Sequence, residues 1–237
     1  MKKISSDAHT LFNIVLNPQQ VAMLQVYENE LIEWNKHYSL TAIKEPEKIR
    51  RKHFLDSLSA ILALRGTPVR RVIDVGTGAG FPGIPLKIIY PQIKLTLLES
   101  VGKKVDFCRH MVDILQLDGV EVIQGRAEET AQSPAHRARY DWAIARAVAI
   151  LPVLAEYLLP FVKLGGHALA MKGESGPAEA HAAENAITLL GGKIRQLIPA
   201  ALPGITEERF LIVIDKIAST PERYPRRVGV PKKRPLA

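Results

Sequence analysis

Residues 72–85 read VIDVGTGAGFPGIP, and two binding chemistries are written there at once. GAGFPG fits G-x-G-x-x-G, the spacing of a dinucleotide pyrophosphate loop, while the same stretch spells D-x-G-x-G-x-G. Glycines at 76, 78 and 80 permit positive φ and close approach of backbone to a ligand. A pyrophosphate wants free N–H groups at the start of a long helix. Here Pro82 and Pro85 flank Gly83 where those donors should stand, and proline has none. Asp74 places negative charge under the loop, unfavourable beside a phosphate and favourable beside a cation. S-adenosylmethionine carries a sulfonium and an amino group, both positive. Contacts to it are expected from Asp74, Gly76, Thr77, Gly78 and Gly80.

Other residues add to this chemistry. Glu99 ends a strand, where its carboxylate can accept both ribose hydroxyl hydrogens of S-adenosylmethionine or of a dinucleotide. GRAEE (125–129) follows the next strand, where an adenine can be bracketed: Glu128 would receive the exocyclic amine or stand as a solvated helix-start acid. Arg126 is a candidate for RNA phosphate or a structural role. Arg146 ends a strand beside the loop. It either pairs with Asp74 or Glu128, or anchors the cofactor edge or a guanine O6. His53 and Asp56 stand three apart on one helix face, suited to a local hydrogen bond or to the floor of the site. Cys108 reads as core rather than nucleophile. No His/Cys cluster has metal-ligand spacing, so no metal is expected. After the strand ending at 145 the chain has ARAVAILP, not the Asn/Asp-Pro-Pro-aromatic motif that holds an exocyclic amine. An acceptor needing no base, such as guanine N7, fits.

Elements must position these groups. Residues 7–35 read as helical, with Asn17-Pro18 as N-cap and first helical position and Val21, Leu24, Tyr27, Leu31 and Trp34 on one face. A second helix is expected from Pro46 to about Leu64, with Ile49, Leu58, Ile61 and Leu62 inward. Strands are expected at 71–75, 94–99, 120–124, 140–145 and 167–172, separated by helices at 82–90, 102–116 and 151–163. That alternation predicts a doubly wound, mostly parallel α/β sheet. Runs at 193–199 and 209–216, joined through Pro203-Gly204, predict an antiparallel closing pair. The expected plan is a helical N-terminal extension (1–66), a methyltransferase-type domain (67–218) and a basic proline-rich tail (219–237).

The 237 residues are 47% apolar and 24% charged, enough for one sizeable core, with a formal charge of +8. The excess of cations suggests a polyanionic partner. Two basic segments are candidates. One is Lys44, Lys48, Arg50, Arg51 and Lys52; the other is Arg223, Arg226, Arg227, Lys232, Lys233 and Arg234 in the tail, which would meet phosphates, while Tyr224 would stack on a base or pin the tail. The tail's prolines are expected to keep it extended. A lone cysteine allows no intrachain disulfide and fits the cytoplasm. The N-terminal apolar run is too short and broken for a signal peptide, and the most apolar region, 142–162, is interrupted by Arg146, Glu156 and two prolines, so no membrane span is expected.

Taken in order, WNKHYSLTAI (34–43), HFLDSL (53–58), DVGTGAGFPGIPLKI (74–88), GKKVDF (102–107), GRAEE, ARAVA (145–149) and YPRRVGVPKKRPL (224–236) resemble one family over nearly the whole chain. It is the bacterial small-subunit ribosomal RNA guanine-N7 methyltransferases of the RsmG type, also called glucose-inhibited division protein B. Ser39 departs, since the family often has asparagine there. The resemblance implies a Rossmann-like class I methyltransferase, S-adenosylmethionine as donor, and a guanine in the 530 loop of 16S rRNA as acceptor. It carries cofactor contacts onto Gly76, Phe81, Ala127, Glu128 and Arg146, with Glu99 and Ser100 near the ribose. No self-complementary seam is evident, so a monomer is expected. Two rivals remain: an RNA-binding ribosome assembly factor without turnover, and an NAD-dependent oxidoreductase built on GAGFPG.

Overall fold

The computed structural model describes residues 1–236. One seven-stranded sheet organises the chain, in the order β3-β2-β1-β4-β5-β7-β6. Its strands are β1 (Arg71–Val75), β2 (Lys94–Glu99), β3 (Val120–Gln124), β4 (Tyr140–Arg146), β5 (Val162–Lys172), β6 (Gly192–Pro199) and β7 (Phe210–Lys216). Pairings among β1 to β5 are parallel; β7 runs antiparallel to both β5 and β6. The expected closing pair is therefore present, with β7 inserted inside β6 rather than outside it. β5 begins earlier than expected, at Val162, so the helix before it stops at Leu158.

Alternate residues of each strand feed opposite layers. Val72, Leu95, Leu97, Trp142 and Ile144 join one apolar cluster, and Ile73, Val75, Leu98, Ala143 and Ala145 the other. The first layer is covered by α2 (Pro18–His37), α6 (Gly83–Ile89) and α7 (Gly102–Ile114); the second by α9 (Leu151–Leu158), α10 (Gly176–Ala182) and α11 (Glu184–Leu189). A single helical turn, α8 (Ala127–Thr130), follows β3. Helices α10 and α11 add to the expected elements. Their stretch is alanine-rich, and Pro177 occupies a first helical turn, where its missing N–H costs nothing.

The N-terminal stretch forms two helices, not one. Asn13 takes a left-handed conformation (φ 49°) and ends α1 (Lys2–Phe12). Asn17 then opens α2 with a reciprocal capping box to Gln20. Residues 46–64 are helical but irregular. A π-helical stretch (Arg50–Leu55) lies between the short pieces α3 (Pro46–Ile49) and α4 (Asp56–Ser59), and α5 (Ile61–Leu64) completes the run. Ile49, Leu58 and Ile61 are buried, while Leu62 is only half-buried. Among the described residues no helix is long and apolar enough to cross a membrane.

Candidate functional site

The glycine loop follows β1 at the carboxyl edge of the sheet, where open α/β sheets bind ligands. Its donors are spent inside the protein. Gly76 and Thr77 N–H donate to Leu98 O, Gly78 N–H to Glu99 Oε2, and Gly80 and Phe81 N–H to Thr77 O. At the start of α6, Gly83 N–H donates to Asp74 Oδ2 (2.7 Å) and Ile84 N–H to Gly80 O. Little remains to cradle a pyrophosphate. What does remain is an acceptor: Asp74 is buried, and its Oδ1 has no hydrogen-bond partner among the described residues. Burial pushes the Asp74 carboxyl up to about 6, against the opposing bonds from Thr77 and Gly83. A buried, half-satisfied carboxylate fits a cationic ligand group and opposes an anionic one.

Gly80 shows why the loop needs glycine. At φ 91°, a Cβ there would collide with Ile84 and with the Tyr27 hydroxyl. Tyr27 of α2 is fully buried, donates to Ala79 O, and stacks on Phe81 with ring centroids 5.1 Å apart. His53 stacks at 4.6 Å on Phe81, and the Arg146 guanidinium lies 5.2 Å from the same ring. Phe81 is thus the hub through which the N-terminal helices brace the loop.

Two cavities open along this edge. A small one, about 80 Å³, is bordered by Gly76, Glu99, Ser100, Ala127, Glu128 and Val148, with Arg126 at its rim. Glu99 is buried there. Its Oε1 takes N–H bonds from Ser100 and Val101, and Oε2 takes the Gly78 bond, which leaves one acceptor position on Oε2 rather than the two a ribose diol would use. The second cavity, about 370 Å³, lies between the ends of β4 and β5 and the irregular helix; Lys52, His53, Asp56, Arg146, Lys172 and Arg209 border it. Val148 borders the small cavity, so close to Gly76 that a Cβ on that glycine would meet Val148 Cγ2 at 2.7 Å. The turn that carries it starts at Ala147, a non-glycine residue at φ 55°.

Arg146 lies in the second cavity. It pairs with Asp56 (2.6 Å), not with Asp74 or Glu128, because its side chain leaves β4 toward the irregular helix, where it also meets the carbonyls of Lys52 and His53. Arg209 reaches the other Asp56 oxygen at 3.7 Å. His53 makes no bond to Asp56; it contacts Thr41 Oγ1 (2.8 Å) and Arg146 Nη2 (3.3 Å). Burial, with Arg146 adding to it, holds the imidazole near 3, so it is neutral. Lys172 pairs with Glu179 and donates to Ala149 O, fixing the turn after β4.

The family model for rRNA small subunit methyltransferase G matches residues 20–204. The chain belongs to this family. Curated relatives of that name include proteins from Alkaliphilus metalliredigens (46% identity, 99% of this chain and 98% of the relative) and Roseiflexus castenholzii (46%, 96% of each). Among solved structures, the fold resembles a SAM-dependent methyltransferase from Aquifex aeolicus (TM-score 0.54, 16% identity, 72% of this chain, 93% of that one). It also resembles M. jannaschii TYW2 in complex with AdoMet (TM-score 0.52, 15% identity, 66% of this chain, 73% of that one).

In this family member the tail departs from expectation. It folds back on the domain instead of running extended. Arg226 clasps the fully buried Glu156 carboxylate and is not free for phosphate. Tyr224 is buried in the second apolar cluster, unavailable for stacking on a base. Arg126, Arg227, Lys232 and Lys233 are exposed, with no carboxylate within ion-pair distance among the described residues. In the other basic segment, Lys48, Arg50, Arg51 and Lys52 pair with Glu45, Glu28, Glu47 and Glu207. Glu156 and Tyr27 support the site without belonging to any of its sequence motifs. An acid inside the apolar run LPVLAEYLLP is the available signal for Glu156, since burying it demands a partner.

Proposed function

We propose that this chain transfers a methyl group from S-adenosylmethionine to N7 of a guanine in the 530 loop of 16S rRNA, acting in the cytoplasm as a monomer. The observation that carries the cofactor is the loop whose amides are spent on protein acceptors while a buried Asp74 oxygen stays unpaired. That balance favours a cation and disfavours the pyrophosphate of the NAD rival. Relatives named ribosomal RNA small subunit methyltransferase G supply the acceptor class.

The cofactor, when bound, supplies an electrophilic methyl group on a sulfonium. Gly76, Glu99, Ala127 and Glu128 would hold its adenosine side, and the buried negative charge of Asp74 beneath the loop would favour its cationic side. The chain's remaining task is to hold the acceptor in line and exclude water. The larger cavity suits an acceptor that loses no proton. Asp56 is taken by Arg146 and Arg209, Glu179 by Lys172, and His53 by Thr41 and Arg146. No general base stands free there, and guanine N7 needs none. Methylation leaves positive charge on the base. Because the lining cations are ion-paired, they do not strongly oppose it.

Radiolabelled S-adenosylmethionine incubated with small-subunit RNA or particles, followed by mapping of the labelled nucleotide, tests the proposal. Label on guanine N7 in the 530 loop is the expected result. Label on another base overturns the acceptor, and no label with any ribosomal substrate favours the assembly-factor reading. Light scattering checks the monomer.

A further inference from the structure

The C-terminal segment reaches a wall residue of the small cavity through one specific atom. Gly229 N–H donates to Glu128 Oε1 at 3.0 Å, across 101 residues of chain. Glu128 is buried and borders the small cavity. Tyr157 of α9 borders it too, and burial together with Glu128 holds its phenol up at about 12.

The segment that delivers Gly229 is bolted down. Arg226 N–H donates to Glu156 Oε1 (2.7 Å), and its guanidinium spans both Glu156 oxygens, with Nη2 to Oε2 at 2.6 Å. The Glu156 side chain has no exposure at all, so the pair is a committed anchor, not a surface contact. Upstream, the Arg137 guanidinium donates to the carbonyls of Thr220, Pro221 and Tyr224, and the Gln132 amide to those of Glu222 and Pro225. Gly229 itself stands at φ 79°, which lets the chain turn so that its amide meets the carboxylate.

We propose that residues 220–230 form a clasp behind the wall of the cofactor cavity, with Glu156, Arg226 and Gly229 as positioning residues that orient Glu128. The clasp fills one acceptor position on Glu128 Oε1 and leaves further acceptor positions for the ligand. Glu128 stands at the start of α8, a single helical turn with few restraints of its own, so its carboxylate takes its direction from the clasp. The clasp thus makes the C-terminus part of cofactor binding, although its cations suggest a role in RNA binding alone. This inference rests on the proposed cofactor site.

Two variants test it. Gly229→Pro removes the donor and the positive φ at a half-buried turn while leaving the Arg226 anchor intact. The double variant E156Q/R226Q removes the anchor without stranding a buried charge. Calorimetry with S-adenosylmethionine and S-adenosylhomocysteine should give a Kd raised roughly tenfold in each, the scale of one charge-assisted hydrogen bond. KM for the cofactor should rise with it, and kcat at saturating cofactor should change less than about twofold. A thermal melt confirms that each variant is folded. A folded Gly229→Pro protein that binds the cofactor as tightly as wild type overturns the clasp. Wild-type protein that gives no heat with either ligand overturns the cofactor site itself, a separate result.

Discussion

Arg146 at the end of β4 and Asp56 in the irregular helix meet at 2.6 Å, and this pair joins the sheet to the helical N-terminal segment at the rim of the larger cavity. Neither side chain is fully exposed, and Asp56 also faces Arg209. Asp56→Asn leaves two guanidinium groups without their counter-charge. The expected cost is on the order of 2 kcal/mol, below that of a fully buried pair because both side chains keep some solvent access. Turnover should fall at least about tenfold while cofactor Kd stays near wild type. Urea melts and calorimetry separate the two effects.

Tyr27 ties α2 to the glycine loop through its bond to Ala79 O and its stack on Phe81. Tyr27→Phe keeps the stack and removes the bond. A loss of about 1 kcal/mol in unfolding free energy is expected, with weaker cofactor binding. Equal cofactor Kd in the two proteins would show that the loop does not depend on α2.

His53 carries a pH signature. Its folded value lies near 3, below the ordinary 6.5, so the unfolded chain binds a proton there that the folded chain refuses. Its contribution to stability is complete above pH 6.5 and is lost progressively as pH falls toward 3. His53→Gln should flatten the melting temperature across roughly pH 4 to 6.5 relative to wild type, measured by circular dichroism.

Asp74 titrates in the opposite sense. Its folded value is raised to about 6 from 3.8, so the free protein holds a proton that the unfolded chain has lost, and stability contributed by the protonated form declines as pH rises through that window. A cationic ligand favours the carboxylate. Cofactor affinity should therefore increase from about pH 5 to 7 and level off above, and Asp74→Asn should weaken binding and remove that slope in calorimetric titrations.

The tail cations divide by partner. Arg226 holds Glu156, whereas Arg227, Lys232 and Lys233 are exposed. Neutralising these three to Gln should weaken RNA binding and shrink the salt slope by about 0.7 to 0.9 for each phosphate whose cation is removed. An unchanged slope in filter-binding titrations would place the RNA elsewhere.

Much of this is legible in the chain. Asp74, the three loop glycines and the two prolines carry the proposed preference for a cation over a pyrophosphate through local chemistry alone, because φ, N–H count and charge belong to single residues. Strand alternation likewise announces itself as β-branched runs separated by helical ones, and all seven strands overlap those runs, although β5 starts five residues earlier, at Val162. Sequence reading fails where a side chain's partner lies far along the chain. Asp56 for Arg146, Glu156 for Arg226 and Gly229 for Glu128 are separated by 90, 70 and 101 residues, and no local spacing encodes such pairs. Helices α10 and α11 escape it because their short alanine-rich turns lack a clear apolar face.

The amino-acid sequence by itself determined the layered sheet and the glycine loop with its acid at Asp74, since backbone freedom and hydrophobic periodicity act over a few neighbouring residues. Which cations are spent on buried carboxylates, and which stay exposed, was decided only when the sheet and its helices brought distant side chains into contact.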